Sequence, residues 1–325
     1  KLRELYLENN RLSGPLPIEL GGRKFMEVLD LGNNNFSGPI PAELGQLSKL
    51  RELYLENNRL SGPLPIELGG CKSMEVLDLY NNNFSGSLEP LSNLTSLIDL
   101  FVSNNSFEGY LPLGSHSFPN LTTIEAANNR LTAMLDRPSG GPAYPNVRYL
   151  DLASNRLNTS IDLTLFPNLE QADFGNNRIP GFIGNGSMPK SLWYLSLADN
   201  LLTALPEGFR SMPNLLSLNL ANNRISQWPT WGSTPPGLCK WDSLSLDIVK
   251  DDPPPDWGSL TVLDVSNNPI NTDVTAFLMP LKWQRSLMEL DASNCSLYGP
   301  VNCEAFTAFE VFMDQGISVT PSIWS

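Results

Sequence analysis

The chain has 325 residues, a formal net charge of −13 and 41% hydrophobic residues, an ordinary apolar content for a folded protein. The acidic balance argues against nucleic acid, whose phosphate backbone calls for Lys and Arg, and it suits solubility and a basic partner or cations. Four cysteines are too few for a disulfide scaffold, and the apolar runs are too short to span a membrane.

Taken in order, the chain repeats. Leu2, Leu5, Leu7, Asn10 and Leu12 follow the spacing LxxLxLxxNxL. Met26, Leu29, Leu31, Asn34 and Phe36 repeat it, as do Leu50, Leu53, Leu55, Asn58 and Leu60, and then Met74, Leu77, Leu79, Asn82 and Phe84. Residues 1–22 and 49–70 are identical, and 23–38 differ from 71–86 at three positions. That identity reads as a two-repeat duplication, with an error in assembling a repetitive gene as the alternative. The Asn position then recurs at Asn105, Asn129, Asn155, Asn177, Asn200 and Asn223 with spacings of 22 to 26 residues. A fixed period in this range means stacked units, none able to bury its apolar face alone.

Regularity fails over about 226–259, where WPTWGSTPP and DDPPPDW bring Pro and Trp together. Trp241, Leu244 and Leu246 are a candidate degenerate strand inside this insert. The pattern resumes with Leu260, Leu263, Val265 and Asn268, then Leu287, Leu290, Ala292 and Cys295, with Cys in the Asn slot. Phe306, Phe309, Val311 and Asp314 are a last decayed candidate. The sequence therefore predicts one repeat domain over 1–325, with about 12 clear repeats and two degenerate ones. Lys1-Leu2-Arg3 already lies inside a repeat, so the chain reads as mature, truncated or partial.

The LxxLxLxxNxL spacing resembles the leucine-rich-repeat family, and the segments LSGPLP and FSGPIP resemble its plant-type repeat, LxGxIPxxL. The resemblance implies an α/β repeat solenoid, a horseshoe or superhelix. It places a parallel β-sheet on the concave face and a mostly irregular, turn or short helical convex side. It also implies an extracellular binding scaffold for a protein, peptide or glycan ligand. The alternative is a structural subunit of a surface, wall or filament assembly, self-associating through open repeat ends. Eight Asn-x-Ser/Thr sequons, at Asn35, Asn83, Asn93, Asn104, Asn120, Asn158, Asn185 and Asn294, favour a secreted glycoprotein.

Chemistry is expected on the strand residues that face away from the buried leucines. One such column runs Tyr6, Asp30, Tyr54, Asp78, Phe101, Glu125, Asp151, Asp173, Ser196, Asn219, Asp264 and Asp291; seven of the twelve are acidic. It reads as an acidic track for a basic peptide, a polyamine or calcium, or as ordinary strand composition. Tyr54, Tyr80 and Phe101 are candidate anchors, with Tyr149 and Tyr194 further on. Trp228, Trp231, Trp241 and Trp257 mark the insert as a second candidate contact region, with packing as the other reading. Catalysis finds no support: the one histidine, His116, lacks a Ser and carboxylate arrangement, and no metal or cofactor pattern occurs. Cys295 and Cys303 are a candidate disulfide.

Overall fold

The structure is a computed structural model that describes residues 1–111, 118–133, 144–183, 188–228, 257, 259–278, 281, 286–299 and 318–319. It forms two compact units, Lys1–Pro180 and Gly181–Ser325.

In the first unit the middle of each LxxLxLxxNxL motif is a three-residue strand. Glu4–Tyr6, Val28–Asp30, Glu52–Tyr54, Val76–Asp78, Asp99–Phe101, Thr123–Glu125, Tyr149–Asp151 and Gln171–Asp173 pair in sequence order, all parallel. The register is one repeat per strand, so Leu29 faces Leu53, Leu53 faces Leu77, and Leu77 faces Leu100. These leucines are fully buried or nearly so. Each contributes roughly 1.5–3 kcal/mol by leaving water, but only where a neighbouring repeat covers it. The first repeat shows the difference. Leu2, Leu7 and Leu12 are exposed, while Leu50, Leu55 and Leu60, in an identical sequence, are fully buried.

A second parallel sheet in this unit forms after the asparagine, on the side expected to be mostly irregular, turn or short helical. It has six strands: Ser13–Gly14, Asn35–Gly38, Arg59–Gly62, Asn83–Ser87, Ser106–Tyr110 and Arg130–Ala133. Arg59–Gly62 ends on the Ser-Gly that opens SGPLP, and Gly62 holds a φ of +86°, a conformation that glycine adopts without cost. The expected short helices are 3-10 turns at Ile18–Gly22, Ala42–Gln46, Ile66–Gly70 and Glu89–Asn93. They stack tightly because Gly45 has no side chain; a Cβ there would stand 2.0 Å from the Glu67 carbonyl oxygen.

The second unit carries five parallel strands, Tyr194–Ser196, Ser217–Asn219, Val262–Asp264, Glu289–Asp291 and Ser318–Val319, again paired in order. Ser217–Asn219 pairs directly with Val262–Asp264. Trp241, Leu244 and Leu246, the candidate degenerate strand of the insert, lie outside the described residues. Phe306, Phe309, Val311 and Asp314 also lie outside them.

The asparagine column ties each repeat to the one before. Asn82 is buried, and its Nδ2 donates to the Leu55 carbonyl at 2.8 Å while its Oδ1 accepts from Leu60 N at 2.9 Å. Asn58, Asn129 and Asn177 repeat both bonds in the first unit, and Asn223 and Asn268 in the second. At the Cys position, Cys295 Sγ donates to the Val265 carbonyl at 3.1 Å. A thiol is a poor acceptor, and Ile270 N turns instead to the Asn268 carbonyl at 2.9 Å. Cys295 is a free buried thiol; Cys303 lies outside the described residues.

Replacing Asn82 by Ala strands a backbone donor and an acceptor, so Asn82→Ala should cost about 2–4 kcal/mol. Hydrogen exchange should show lost protection at Glu52–Tyr54 and Val76–Asp78, with Tyr194–Ser196 unchanged, because repeat stability is local. Unchanged protection at Val76–Asp78 would refute the structural role given to this amide.

Candidate functional site

The strands fix which outward side chains are neighbours. In the first unit, register lines up Tyr6, Asp30, Tyr54, Asp78, Phe101, Glu125, Asp151 and Asp173 in one column. Ser196, Asn219, Asp264 and Asp291 form the corresponding column of the second unit. Tyr80 lies two residues beyond Asp78, exposed, and Tyr149 lies two before Asp151, also exposed. Tyr54, Asp78 and Phe101 thus occupy three successive strands, all half-buried, with Tyr80 beside them. Tyr149 belongs to the row of strand starts. Tyr194 is in the second unit, its ring edge-on to Trp193 at 6.3 Å.

The column's short carboxylates do local structural work. Asp30 Oδ1 accepts from Gly32 N at 3.0 Å, Asp78 Oδ1 from Tyr80 N at 2.9 Å, Asp151 Oδ1 from Ala153 N at 3.0 Å, and Asp173 Oδ1 from Gly175 N at 2.7 Å. The Asn219, Asp264 and Asp291 side chains do the same in the second unit. An Asx side chain that caps the backbone two residues on shapes the turn leaving the strand. Aspartate here is therefore partly a folding residue. Tyr, Phe or Glu cannot make this bond, and Tyr6, Tyr54, Phe101 and Glu125 take the slot without it.

The other Asp oxygens still need solvation. Burial pushes the Asp78 carboxyl up to about 6, and the nearby Glu56, Glu125 and Asp30 charges push the same way against the Tyr80 N–H bond. Burial also raises Asp30, Glu125 and Asp151, with Glu8, Asp151 and Asp173 as their respective acidic neighbours. Tyr54 is pushed up to about 12 by burial and by the adjacent Glu52, whose Oε2 accepts from the phenol at 3.1 Å.

Glu56 belongs to this surface and was not singled out from sequence. Its carboxylate lies over Gly32, where a Cβ would stand 2.0 Å from Oε1. Asn33 Nδ2 donates to Oε1 at 2.9 Å, and Oε2 is buried with no hydrogen-bond partner among the described residues. The signal was a Gly one repeat before a Glu, which means something only once the register is known. Among the described residues no cluster of three His, Cys, Asp or Glu side chains is placed to hold a metal ion.

The two described tryptophans of the insert take the packing reading. Trp228 is buried with its ring 4.9 Å from Phe277, and Trp257 is buried and donates Nε1 to the Phe209 carbonyl. These two pack the core. Trp231, Trp241 and His116 lie outside the described residues. Of the sequons, Asn83, Asn93, Asn120, Asn158 and Asn294 are exposed and Asn35 and Asn104 half-buried; Asn185 is outside.

A family model described as leucine rich repeat matches residues 1–60, and a second, of two repeat copies, matches residues 48–93. Acidic leucine-rich nuclear phosphoprotein 32 family member A of Drosophila pseudoobscura pseudoobscura is 33% identical over 133 residues, 39% of this chain and 49% of its own. The ectodomain of the membrane receptor kinase GASSHO1/SCHENGEN3 of Arabidopsis thaliana, in complex with CASPARIAN STRIP INTEGRITY FACTOR 2, aligns over 95% of this chain and 43% of its own. It does so at 25% identity and a TM-score of 0.59. The plant peptide hormone receptor RGFR1, in complex with RGF2, shares the fold over 98% of this chain and 56% of its own, at 24% identity and a TM-score of 0.56. The chain thus spans about half the length of these relatives.

The Asp78 shift has a consequence for stability. Its folded pKa of about 6 stands above the ordinary 3.8, so its contribution is complete below about pH 3.8 and is lost as pH rises through 6. Asp78→Asn keeps the Oδ1 acceptor and removes the charge. After discounting for solvent screening, the variant should be more stable than the parent by roughly 1 kcal/mol at neutral pH. The two should unfold alike at pH 3.5. Equal stability at both pH values would contradict the burial of this charge.

Proposed function

We propose that this leucine-rich-repeat protein is an extracellular scaffold that binds an extended peptide segment across the outward face of its first-unit sheet. The observation that carries the reading is the column itself. Tyr54, Asp78 and Phe101 stand on three successive strands with Tyr80 exposed beside them, rings and a charge held on a rigid support. Aromatic side chains at a fixed surface make strong anchors at low entropic cost. A peptide is taken before a glycan because a plant peptide hormone receptor, RGFR1 in complex with RGF2, is among the solved structures of this fold. The eight sequons support a secreted location. The nuclear relative, by contrast, matches over 39% of this chain, a stretch of repeats that carries fold rather than address.

A display library of random linear dodecapeptides tests this. Peptides selected on the parent chain should lose roughly 100-fold in affinity on the triple variant Tyr54→Ala, Tyr80→Ala, Phe101→Ala, at about 1 kcal/mol or more per anchor. A control triple variant, Ile18→Ala, Ile66→Ala, Tyr110→Ala, changes exposed side chains of other elements and should bind as the parent does. Selection of no peptide, or equal binding to both variants, would reject the reading.

A further inference from the structure

The first five members of the column alternate in kind: ring, carboxylate, ring, carboxylate, ring. Tyr6 faces Asp30, Asp30 faces Tyr54, Tyr54 faces Asp78, and Asp78 faces Phe101. Each aspartate therefore has an aromatic side chain one strand away on both sides. Neighbouring strands lie about 4.8 Å apart, so the two rings flanking an aspartate spring from backbones about 9.6 Å apart. A flat cation stacked between two rings needs about 3.5–4 Å on each side, and the interval admits it. Rings attract cations through their faces, Arg most often.

Among the described residues the site has no charge of its own to match. Each Asp has one oxygen committed to a backbone N–H; the other has no partner among the described residues. The charges that press on Asp78 are Glu56, Glu125 and Asp30, all acidic, and on Asp30 it is Glu8. The ion pairs described in this unit, Arg3 with Glu27, Arg51 with Glu75 and Arg148 with Glu170, all involve other carboxylates. None of the described ring contacts uses Tyr6, Tyr54 or Phe101. Among the described residues these half-buried carboxylates have no counter-ion, and the rings beside them enter no described ring contact; a cation from outside matches both.

Spacing then selects the form of the ligand. The two aspartates stand two strands apart, about 9.6 Å. In a polyproline-II chain, residues three apart return to the same face after about 9.3 Å. An extended β-type chain places same-face residues about 6.7 Å or 13 Å apart and misses the interval. We propose that Tyr6, Asp30, Tyr54, Asp78 and Phe101 form two adjoining cation slots for a polyproline-II peptide carrying Arg side chains three residues apart. The proposal rests on the peptide-binding reading and names the ligand class of that same face. Tyr54 is shared by both slots, and Glu56, on the neighbouring row between Asp30 and Asp78, adds negative charge to each.

The test uses blocked synthetic hexapeptides titrated calorimetrically against the full chain. Pro-Arg-Pro-Pro-Arg-Pro places the cations three apart, and Pro-Arg-Pro-Arg-Pro-Pro places them two apart. A third peptide carries citrulline at both Arg positions of the first, keeping shape and losing charge. The first peptide should bind at least ten times more tightly than either control. Asp30→Asn and Asp78→Asn should each cut its affinity about tenfold and erase the preference for spacing, since one slot then remains. Phe101→Leu, which keeps apolar area and removes the ring, should act like Asp78→Asn. Equal binding of the arginine and citrulline peptides, or indifference to spacing in the parent, overturns the proposal. If library-selected peptides lose affinity on the Tyr54, Tyr80 and Phe101 triple variant yet carry no paired cations, the slots are wrong and peptide binding stands. If the library yields nothing, both fall.

Discussion

The constraint on which this structure depends is the hydrogen bonding between one repeat and the next. A three-residue strand has too few bonds to persist alone, and a leucine on it has nothing to pack against. Pairing in parallel register supplies both at once: Leu53 meets Leu29 and Leu77, and the backbone groups between them are satisfied. The asparagine column extends the same logic past the strand end, where the chain turns away and amides and carbonyls would otherwise be orphaned. Asn58 reaches back to the Leu31 carbonyl at 3.0 Å and accepts from Phe36 N at 3.0 Å. The side chain is thus a transferable piece of sheet, and its cost of removal is the cost of two unsatisfied buried groups.

Because register is fixed by buried leucines, the outward face comes as a consequence. Side chains between the leucines are placed about 4.8 Å apart across repeats. Their identity is free to vary so long as the turn that follows is shaped. Aspartate shapes it directly through its Oδ1. Where Tyr54 or Phe101 stands instead, that bond is given up and an aromatic surface is gained. The alternation of the two in the first unit follows from the repeated pair of units at 1–48 and 49–86. Tyr6 and Tyr54 are the same residue of the duplicated unit, as are Asp30 and Asp78. Asp30, Asp78 and Asp151 carry charges that burial disfavours, a familiar tension between folding and binding.

Much of this was legible in the sequence. The period, the strands, the buried leucines and the asparagine ladder all follow from LxxLxLxxNxL, because side-chain alternation and a fixed repeat leave one arrangement that buries them. The second sheet was legible only in part: the early segments read as extended, but their pairing did not show. NFSG and RLSG, which lead into SGPIP and SGPLP, become strands because stacking brings the same segment of the next repeat alongside. The turn-forming bond of Asp30 and Asp78 was hidden for a similar reason: a carboxylate column looks alike whether it caps the backbone or awaits a ligand, and here it does both. Trp228 and Trp257, beside a Pro-rich insert, could be read as contact residues or as packing. Their partners, Phe277 and the Phe209 carbonyl, are distant in sequence, so only the fold reveals them as core. Glu56 was invisible until Gly32 was seen beneath it.

The central claim is that successive repeats stand in register, one strand per repeat, so that Asp78 and Phe101 are direct neighbours on one face. Paired cysteines test it most directly. In-register parallel neighbours lie about 4.8 Å apart, within the 4.4–6.8 Å that a disulfide spans. Asp78→Cys with Phe101→Cys should close an intramolecular bond on mild oxidation, seen by peptide mapping. Asp78→Cys with Asp99→Cys, displaced by one pleat, should stay reduced. Cross-linking of the second pair in preference to the first would contradict the register and everything built on it.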